Sequence, residues 1–218
     1  MHDVAIVGAG PVGGTLALAL ADADLDVVAL DARAEGATLR RDRSLALSHG
    51  ARLVFERLGV WSRLADAQGA LSPILAIDIS QAGGFGVTRL AADEQGLPAL
   101  GYVVSYVALQ AAIDAELART RTAIRYGAQV AHVGGTPSHA AVTFADAGHD
   151  ALTARLAVVA DGTGTAVAGI ARERREYGQV ALLAKIAMAS PHQGVAYERF
   201  TPSGPVALLP EGDHYGLI

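Results

Sequence analysis

The chain has 218 residues, 51% of them hydrophobic, and a formal net charge of −5 with the basic residues scattered along it. This length allows one large domain or about one and a half ordinary domains, and the acidic balance argues against a nucleic-acid partner. The chain contains no cysteine, which excludes disulfides and thiolate chemistry.

Targeting and metal-binding signals are equally weak. The N-terminus runs straight into an apolar segment without the basic region of a signal peptide. No apolar run approaches the ~20 residues of a membrane span, and Lys185 interrupts the best candidate, residues 180–188. The histidines lack the spacing typical of metal ligands, so we predict no metal site. We therefore expect a cytoplasmic protein.

Residues 3–31 carry the strongest pattern of the sequence. An apolar run, 4–7, leads into the turn Gly8-Ala9-Gly10-Pro11-Val12-Gly13. An Ala/Leu-rich stretch follows, and then a second apolar run, 27–30, closed by Asp31. Strand, glycine turn, helix, strand and acid in this order predict a dinucleotide-binding βαβ unit.

Each residue of the turn has a predicted task. Gly8 permits the tight turn, Gly10 lets the backbone approach a pyrophosphate, and Gly13 lets the helix pack against the strand. Pro11 suits the first helical turn, and with Val12 it begins the helix whose free N–H groups face the phosphates.

Asp31 stands where a carboxylate accepts both hydroxyls of an adenosine ribose. It would repel a 2′-phosphate, so the site favours FAD or NAD over NADP. The alternatives are a doubly wound domain whose turn binds nothing, and an Asp31 that is only a strand-end turn residue.

The rest of the chain alternates short strands with helices. Residues 32–43 read as a loop, and Ser48 begins a helix to about Leu58 with Leu53, Leu58 and Trp61 on its apolar side. The spacing of Leu109, Ile113 and Leu117 predicts a second helix over 107–119. Apolar runs predict strands within 73–104 and over 124–133, 140–145, 154–160, 180–187, 195–200, 206–209 and 215–218.

The last strand stops in mid-pattern at Ile218, so we expect this chain to be the front part of a longer protein. We interpret Gly212-Asp213-His214 as a hairpin turn. For residues 1–218 alone we expect self-association and no catalytic turnover.

Several motifs resemble one family. They are Arg43-Ser44-Leu45-Ala46-Leu47-Ser48, Leu58-Gly59-Val60-Trp61, Ala160-Asp161-Gly162 and the block from Tyr197 to Pro210 (YERFTPSGPVALLP). With the glycine turn, they are similar to the flavin-dependent aromatic-ring hydroxylases of ubiquinone biosynthesis, over essentially the whole chain.

This resemblance implies an α/β fold with a Rossmann-like FAD-binding domain and an inserted mixed β-sheet substrate domain, as in p-hydroxybenzoate hydroxylase. We assign residues 1–72 and 105–176 to the first domain, and 73–104 and 177–218 to the second.

The resemblance also implies the chemistry. NAD(P)H would reduce FAD, and a flavin C4a-hydroperoxide would transfer oxygen to a polyprenylated phenol. The implied partners are this phenolic substrate, other ubiquinone-biosynthesis proteins and the surface of the inner membrane.

By the same resemblance, Arg43 would lie beside the flavin or its phosphates, Val130 near the adenine and Asp161 near the pyrophosphate. Residues 200–209 would lie on the sheet over the substrate. Ser105-Tyr106-Val107 replaces the Glu-Asn-Arg common in the family, so an expected flavin-side arginine is absent.

For Arg43 the alternative is a solvated loop residue, and for Asp161 a helix cap. At the level of function, the alternatives are an NAD-dependent oxidoreductase and a catalytically inactive FAD- or ADP-binding fragment.

Overall fold

The computed structural model describes residues 1–37, 42–67, 69–146, 148–162, 168, 173 and 175–218. In chain order the described residues form β1 (His2–Val7), α1 (Pro11–Leu20), β2 (Val27–Asp31), β3 (Ser44–Ser48), α2 (His49–Arg57), α3 (Val60–Asp66), β4 (Leu71–Ile74), β5 (Ala76–Gln81), β6 (Val87–Ala91), a 3₁₀ turn (Asp93–Gln95), β7 (Gly101–Ser105), α4 (Tyr106–Leu117), β8 (Ala123–Tyr126), β9 (Val130–Gly135), β10 (Ala140–Phe144), β11 (Leu152–Val159), β12 (Ala184–Ile186), β13 (Val195–Thr201), β14 (Gly204–Glu211) and β15 (His214–Leu217).

The chain divides into two compact units. The first unit comprises Met1–Arg40 and Gln110–Arg175, and the second comprises Arg41–Leu109 and Glu176–Ile218. The described residues of 42–72, which the sequence grouped with the nucleotide-binding domain, fall in the second unit of this division.

The first unit contains the predicted βαβ arrangement. Among the described residues its sheet has the order β8-β2-β1-β11-β10-β9, with β8, β2, β1 and β11 mutually parallel. One face buries an apolar cluster that includes Val28, Leu30 and Val142. The Rossmann-like character expected from the sequence is confirmed, because β1, α1 and β2 follow the predicted order.

Helix α1 lies close to helix α4. A Cβ added to Gly14 would come within 2.6 Å of the Ile113 side chain, so this small residue lets the two helices approach. Ile113 and Leu117 are 0% and 1% exposed. The predicted helix over 107–119 is confirmed, with bounds Tyr106–Leu117.

Two strand predictions need correction. Residues 124–133 are not one strand but two, β8 and β9, which lie at opposite edges of the first sheet. The break falls at Gly127, whose φ of 70° is left-handed and ends an extended chain. The strand predicted over 180–187 is limited to Ala184–Ile186.

Helix α2 is capped as predicted but buries a different side chain. Ser48 Oγ accepts a hydrogen bond from the Ala51 N–H at 3.1 Å. Leu53, expected on the apolar side, is 51% exposed, whereas Phe55 is buried. The expectation for Leu53 was therefore wrong, because the helix turns Phe55 inward.

The second unit holds two sheets where the sequence predicted one. Within the described residues, β3-β7-β4 form a small antiparallel sheet, and β12-β15-β14-β13-β5-β6 form a mixed sheet in which β13 and β5 are parallel. Ile74, Val103 and Ala196 form the buried cluster between them, with Leu209 packed against it. Gly212, with φ 61°, lies in the predicted turn between β14 and β15. No helix among the described residues is long and apolar enough to cross a bilayer.

Candidate functional site

The glycine turn between β1 and α1 is shaped by two close backbone approaches. Gly8 has φ 95°, and a Cβ there would lie 2.5 Å from the carbonyl oxygen of Ala160. A Cβ on Gly13 would lie 1.8 Å from the carbonyl oxygen of Gly8. Any side chain at these two positions would displace backbone, so both glycines shape the turn as the sequence predicts.

Gly10 differs from its neighbours because space lies open around it. A Cβ built on Gly10 meets no atom within 4 Å. Gly10 is the N-cap of α1, with φ −64° and ψ −172°, and makes no side-chain cap hydrogen bond. Pro11 stands in the first turn, which carries no acidic residue, and Val12 is 75% exposed. This helix start presents its N–H groups to an open side, as an anion site requires.

Asp31 ends β2 with its carboxylate buried and already bonded. Its Oδ1 accepts the backbone N–H of Arg33 at 2.8 Å. Its Oδ2 accepts Nε and Nη2 of Arg33 at 3.0 and 2.7 Å. A carboxylate offers about four acceptor positions, so about one, on Oδ1, remains for a ligand. The carboxylate therefore keeps an acceptor position for one ribose hydroxyl, and a second hydroxyl needs a position that Arg33 occupies.

Arg33 joins Asp31 to helix α4. Its Nη1 lies 3.5 Å from Oδ2 of Asp114, and its Nη2 lies 3.4 Å from the carbonyl oxygen of Ala9. Partial burial lowers the pKa of Arg33, but the hydrogen bonds and charges of Asp31 and Asp114 outweigh burial and raise this pKa above its ordinary value. The three charges sum to −1, which keeps the surroundings of Asp31 unfavourable for a 2′-phosphate.

Sequence reasoning missed the α4 members of this group. Gln110 is buried and donates to the Ala9 carbonyl oxygen at 3.0 Å and to Oδ1 of Asp114 at 2.7 Å. The spacing of Gln110 and Asp114, four residues apart on one helix, was the available signal. Their contact with the glycine turn is tertiary and has no local signature.

Val130 and Asp161 occupy different surroundings in the first unit. Val130 is 5% exposed and belongs to the apolar cluster of the first unit. Asp161 follows β11, and a Cβ on Gly8 would lie 2.9 Å from its Cα. Asp161 therefore adjoins the glycine turn, where the resemblance places the pyrophosphate.

In the second unit, the residues that precede β3 contact Ser105-Tyr106-Val107, the segment that replaces the family's Glu-Asn-Arg. The carboxylate of Asp42 accepts from Ser105 Oγ at 2.9 Å and from the Val107 N–H at 3.2 Å. The Arg43 guanidinium lies 4.6 Å from the ring centroid of Tyr106, and the Arg43 carbonyl accepts the Tyr106 N–H. This segment thus fixes the position of Arg43 instead of supplying an arginine of its own.

Arg43 also lines a cleft of about 200 Å³ within the second unit. Apolar side chains from Leu183, Leu209 and Leu217 share the lining with Lys185 and Glu211. Lys185 Nζ lies 2.8 Å from Oε1 of Glu211. The cleft therefore combines an apolar wall with a paired acid and base.

The ion pair perturbs both of its members. Burial raises the pKa of Glu211, but hydrogen bonds from Lys185 and Ser44 outweigh burial and hold this pKa below its ordinary value. The hydrogen bond to Glu211 raises the pKa of Lys185. Both groups are charged at neutral pH, and neither has the properties of a general base poised near pH 7.

Comparison with known proteins shows which family the chain belongs to. Residues 1–213 match the family described as FAD binding domain. The chain belongs to the FAD binding domain family. The expected fold class is confirmed, and FAD is the cofactor that the family description names.

Individual relatives add detail. The chain is 34% identical over 224 residues to "Ubiquinone hydroxylase UbiL" of Rhodospirillum rubrum, covering 99% of this chain and 51% of that protein. It is 30% identical over 227 residues to "3-demethoxyubiquinol 3-hydroxylase" of Escherichia coli, covering 99% of this chain and 56% of that protein. The chain thus spans about half the length of these relatives.

A solved structure shows the same fold at low sequence identity. PqsL of P. aeruginosa, in complex with 2-aminobenzoylacetate, superposes with a TM-score of 0.76 at 16% identity. The match covers 99% of this chain and 59% of PqsL.

The residues present fit the ADP half of FAD. Gly13 and Gly8 shape a turn that no side chain could occupy, Gly10 leaves room for phosphate, and Asp31 retains an acceptor for ribose. The individual roles stay predictions, for Gly8, Gly10, Pro11, Val12, Gly13, Asp31, Arg43, Val130 and Asp161.

Proposed function

We propose that this chain forms the FAD-binding part of a monooxygenase that hydroxylates a polyprenylated phenol ring in ubiquinone biosynthesis. The glycine turn carries the cofactor half of the proposal, because its open helix start and the acid at the end of β2 suit a dinucleotide. The names of the relatives support the substrate half.

When bound, FAD supplies the chemistry that activates O₂ for ring hydroxylation, with NADH or NADPH as the proposed reductant. The chain's own residues bind and orient this cofactor. The amides at the start of α1 hold the pyrophosphate, Asp31 accepts a ribose hydroxyl, and Gly8 and Gly13 keep the turn in shape.

The cleft of the second unit suits a phenol in two respects. Leu183, Leu209 and Leu217 offer apolar surface to a ring. Arg43 and Lys185 offer N–H donors to a phenol oxygen, and Asp42 and Glu211 in the same lining balance their charge. We propose that Arg43 acts at this cleft and at the flavin side of the cofactor.

We also propose a cytoplasmic protein that contacts the inner-membrane surface and other ubiquinone-biosynthesis proteins, because a polyprenylated substrate partitions into lipid.

Self-association is supported by exposed apolar side chains in the second unit, among them Phe85, Val180 and Leu182. Size-exclusion light scattering measures it, and a monodisperse monomer would contradict it.

Oxygen-18 labelling tests the proposed reaction. Cells that lack their own ubiquinone hydroxylase, and that produce the protein carrying this chain, should incorporate one labelled oxygen into a demethylated ubiquinone precursor. The Asp31→Ala variant should incorporate far less, and the exposed control Asp24→Ala should match the parent. Tight FAD binding without label in any such precursor would contradict the proposed substrate and leave the cofactor assignment intact.

A further inference from the structure

The side chain of Gln110 is buried where α4 meets the glycine turn. Gln110 is 1% exposed, and its Nε2 lies 3.0 Å from the Ala9 carbonyl oxygen and 2.7 Å from Oδ1 of Asp114. Both partners are acceptors only, so the two amide hydrogens must face them. The orientation of this amide is therefore fixed by its surroundings.

The hydrogen bond to Ala9 sets the direction of the next amide. No cis peptide bond occurs among the described residues, so the carbonyl of Ala9 and the N–H of Gly10 point to opposite sides of one planar unit. A carbonyl drawn toward Gln110 turns the Gly10 N–H away from α4. A Cβ on Gly10 would meet no atom within 4 Å, so a ligand can approach the backbone at this residue.

The other end of the amide argues against a purely structural role. In the described part of the chain, Oε1 of Gln110 is buried and has no hydrogen-bond partner. An unpaired buried carbonyl is unfavourable, and an apolar side chain of the same shape would avoid the cost. The advantage of glutamine here is therefore its pair of donors.

The partners of Gln110 extend the contact to Asp31. Asp114 accepts from Gln110 and pairs with Arg33, and Arg33 holds the Asp31 carboxylate. Arg33 Nη2 also lies 3.4 Å from the Ala9 carbonyl oxygen. One chain of hydrogen bonds thus runs from the amide at the phosphate position to the carboxylate at the ribose position.

We propose that Gln110 is a positioning residue for dinucleotide binding: it holds the Ala9–Gly10 peptide so that the Gly10 N–H faces the pyrophosphate, with Asp114 and Arg33 tying this peptide to Asp31. The inference rests on the proposed cofactor site. It adds residues of α4 to a site otherwise built from β1, α1 and β2.

Gln110→Met tests the proposal, because methionine matches the shape of glutamine but donates nothing. We expect its thermal midpoint to lie close to that of the parent, because the unpaired Oε1 and the two donated hydrogen bonds are lost together. We expect its ADP affinity to fall about tenfold, the effect of one lost hydrogen bond. The exposed Gln129→Met is the matched control and should leave both unchanged.

Amide NMR of the 218-residue chain reads the peptide directly. In the free protein, Gln110→Met should move the Ala9 carbonyl and Gly10 amide resonances, and in the parent ADP should shift the Gly10 amide. Asp114→Leu, at a partly exposed position, should weaken ADP binding about threefold and serves if Gln110→Met does not fold.

Two results would overturn the inference: parental ADP affinity in Gln110→Met, or unchanged Ala9 and Gly10 resonances in that variant. Failure of the cofactor proposal looks different. If the cofactor proposal fails, ADP does not shift the Gly10 amide resonance of the parent chain. The positioning role is then decided by comparing the ligand-free Gln110→Met variant with the ligand-free parent.

Discussion

Asp31→Asn is the sharpest perturbation of the predicted ribose site. The substitution keeps the shape of the side chain, removes its charge and places an amide against the Arg33 guanidinium. Asp31 accepts three hydrogen bonds from Arg33, two of them from the guanidinium at 3.0 and 2.7 Å. The variant therefore loses an ion pair that is buried on the Asp31 side and about one quarter exposed on the Arg33 side.

The size of the effect follows from these contacts. A hydrogen bond from a ribose hydroxyl to a carboxylate contributes about 1.5–3 kcal/mol, so ADP affinity should fall roughly 10- to 150-fold. The charges of Asp31, Arg33 and Asp114 sum to −1 in the parent and to zero in the variant. Arg33, released from Asp31, can then pair with a 2′-phosphate.

Competitive titration with ADP and 2′,5′-ADP measures both consequences. The parent should prefer ADP by about tenfold or more, and Asp31→Asn should bring the ratio near or below one. Asp24→Asn, at an exposed position of the same unit, is the control for loss of an acidic charge. An unchanged ratio in Asp31→Asn would refute the ribose role of Asp31.

Three further perturbations probe the turn and the cleft. Gly13→Ala should destabilise the chain by about 3 kcal/mol in urea unfolding, because its Cβ would lie 1.8 Å from a carbonyl oxygen. Gly10→Ala should keep the stability of the parent and lose ADP binding. Equal stability of the two variants would contradict the geometry of the turn. Arg43→Lys should only partly restore the FAD affinity lost in Arg43→Ala, since lysine lacks the planar guanidinium group. Fluorescence titration measures this affinity, and an unchanged affinity in Arg43→Ala would mean that Arg43 is only a solvated loop residue. The pKa of Glu211 is lowered and the pKa of Lys185 is raised, so their pair stabilises the second unit fully between pH 4.5 and pH 10.5. This stabilisation is lost as pH falls through the Glu211 pKa or rises through the Lys185 pKa. Glu211→Gln should flatten the fall of stability at acid pH, and an unaltered fall would exclude the pair as its cause.

Local sequence signals predicted the βαβ unit because each of its parts is encoded nearby. Glycines at the turn, the proline at the first helical position and an acid at the end of β2 all lie within 31 residues. The structure places Gly8 and Gly13 in close backbone contact as that pattern requires. Helix α4 was predictable for the same reason, since Ile113 and Leu117 repeat at helical spacing and are both buried.

Features that depend on distant contacts escaped prediction. The split of 124–133 rests on the left-handed Gly127, and apolar periodicity does not report φ. The pairing of β7 with β3 and β4, away from β5, is a matter of sheet topology. The contacts of Gln110 with Ala9 and of Arg33 with Asp114 join segments far apart in sequence, so no local pattern encodes them.

A crystal structure of the 218-residue chain grown with FAD tests the central claim most directly. The account predicts the pyrophosphate at the start of α1, within hydrogen-bond distance of the Gly10 N–H, and an adenosine ribose hydroxyl on Oδ1 of Asp31. Pyrophosphate bound away from this turn, or a ribose that leaves Asp31 bonded to Arg33 alone, would contradict it.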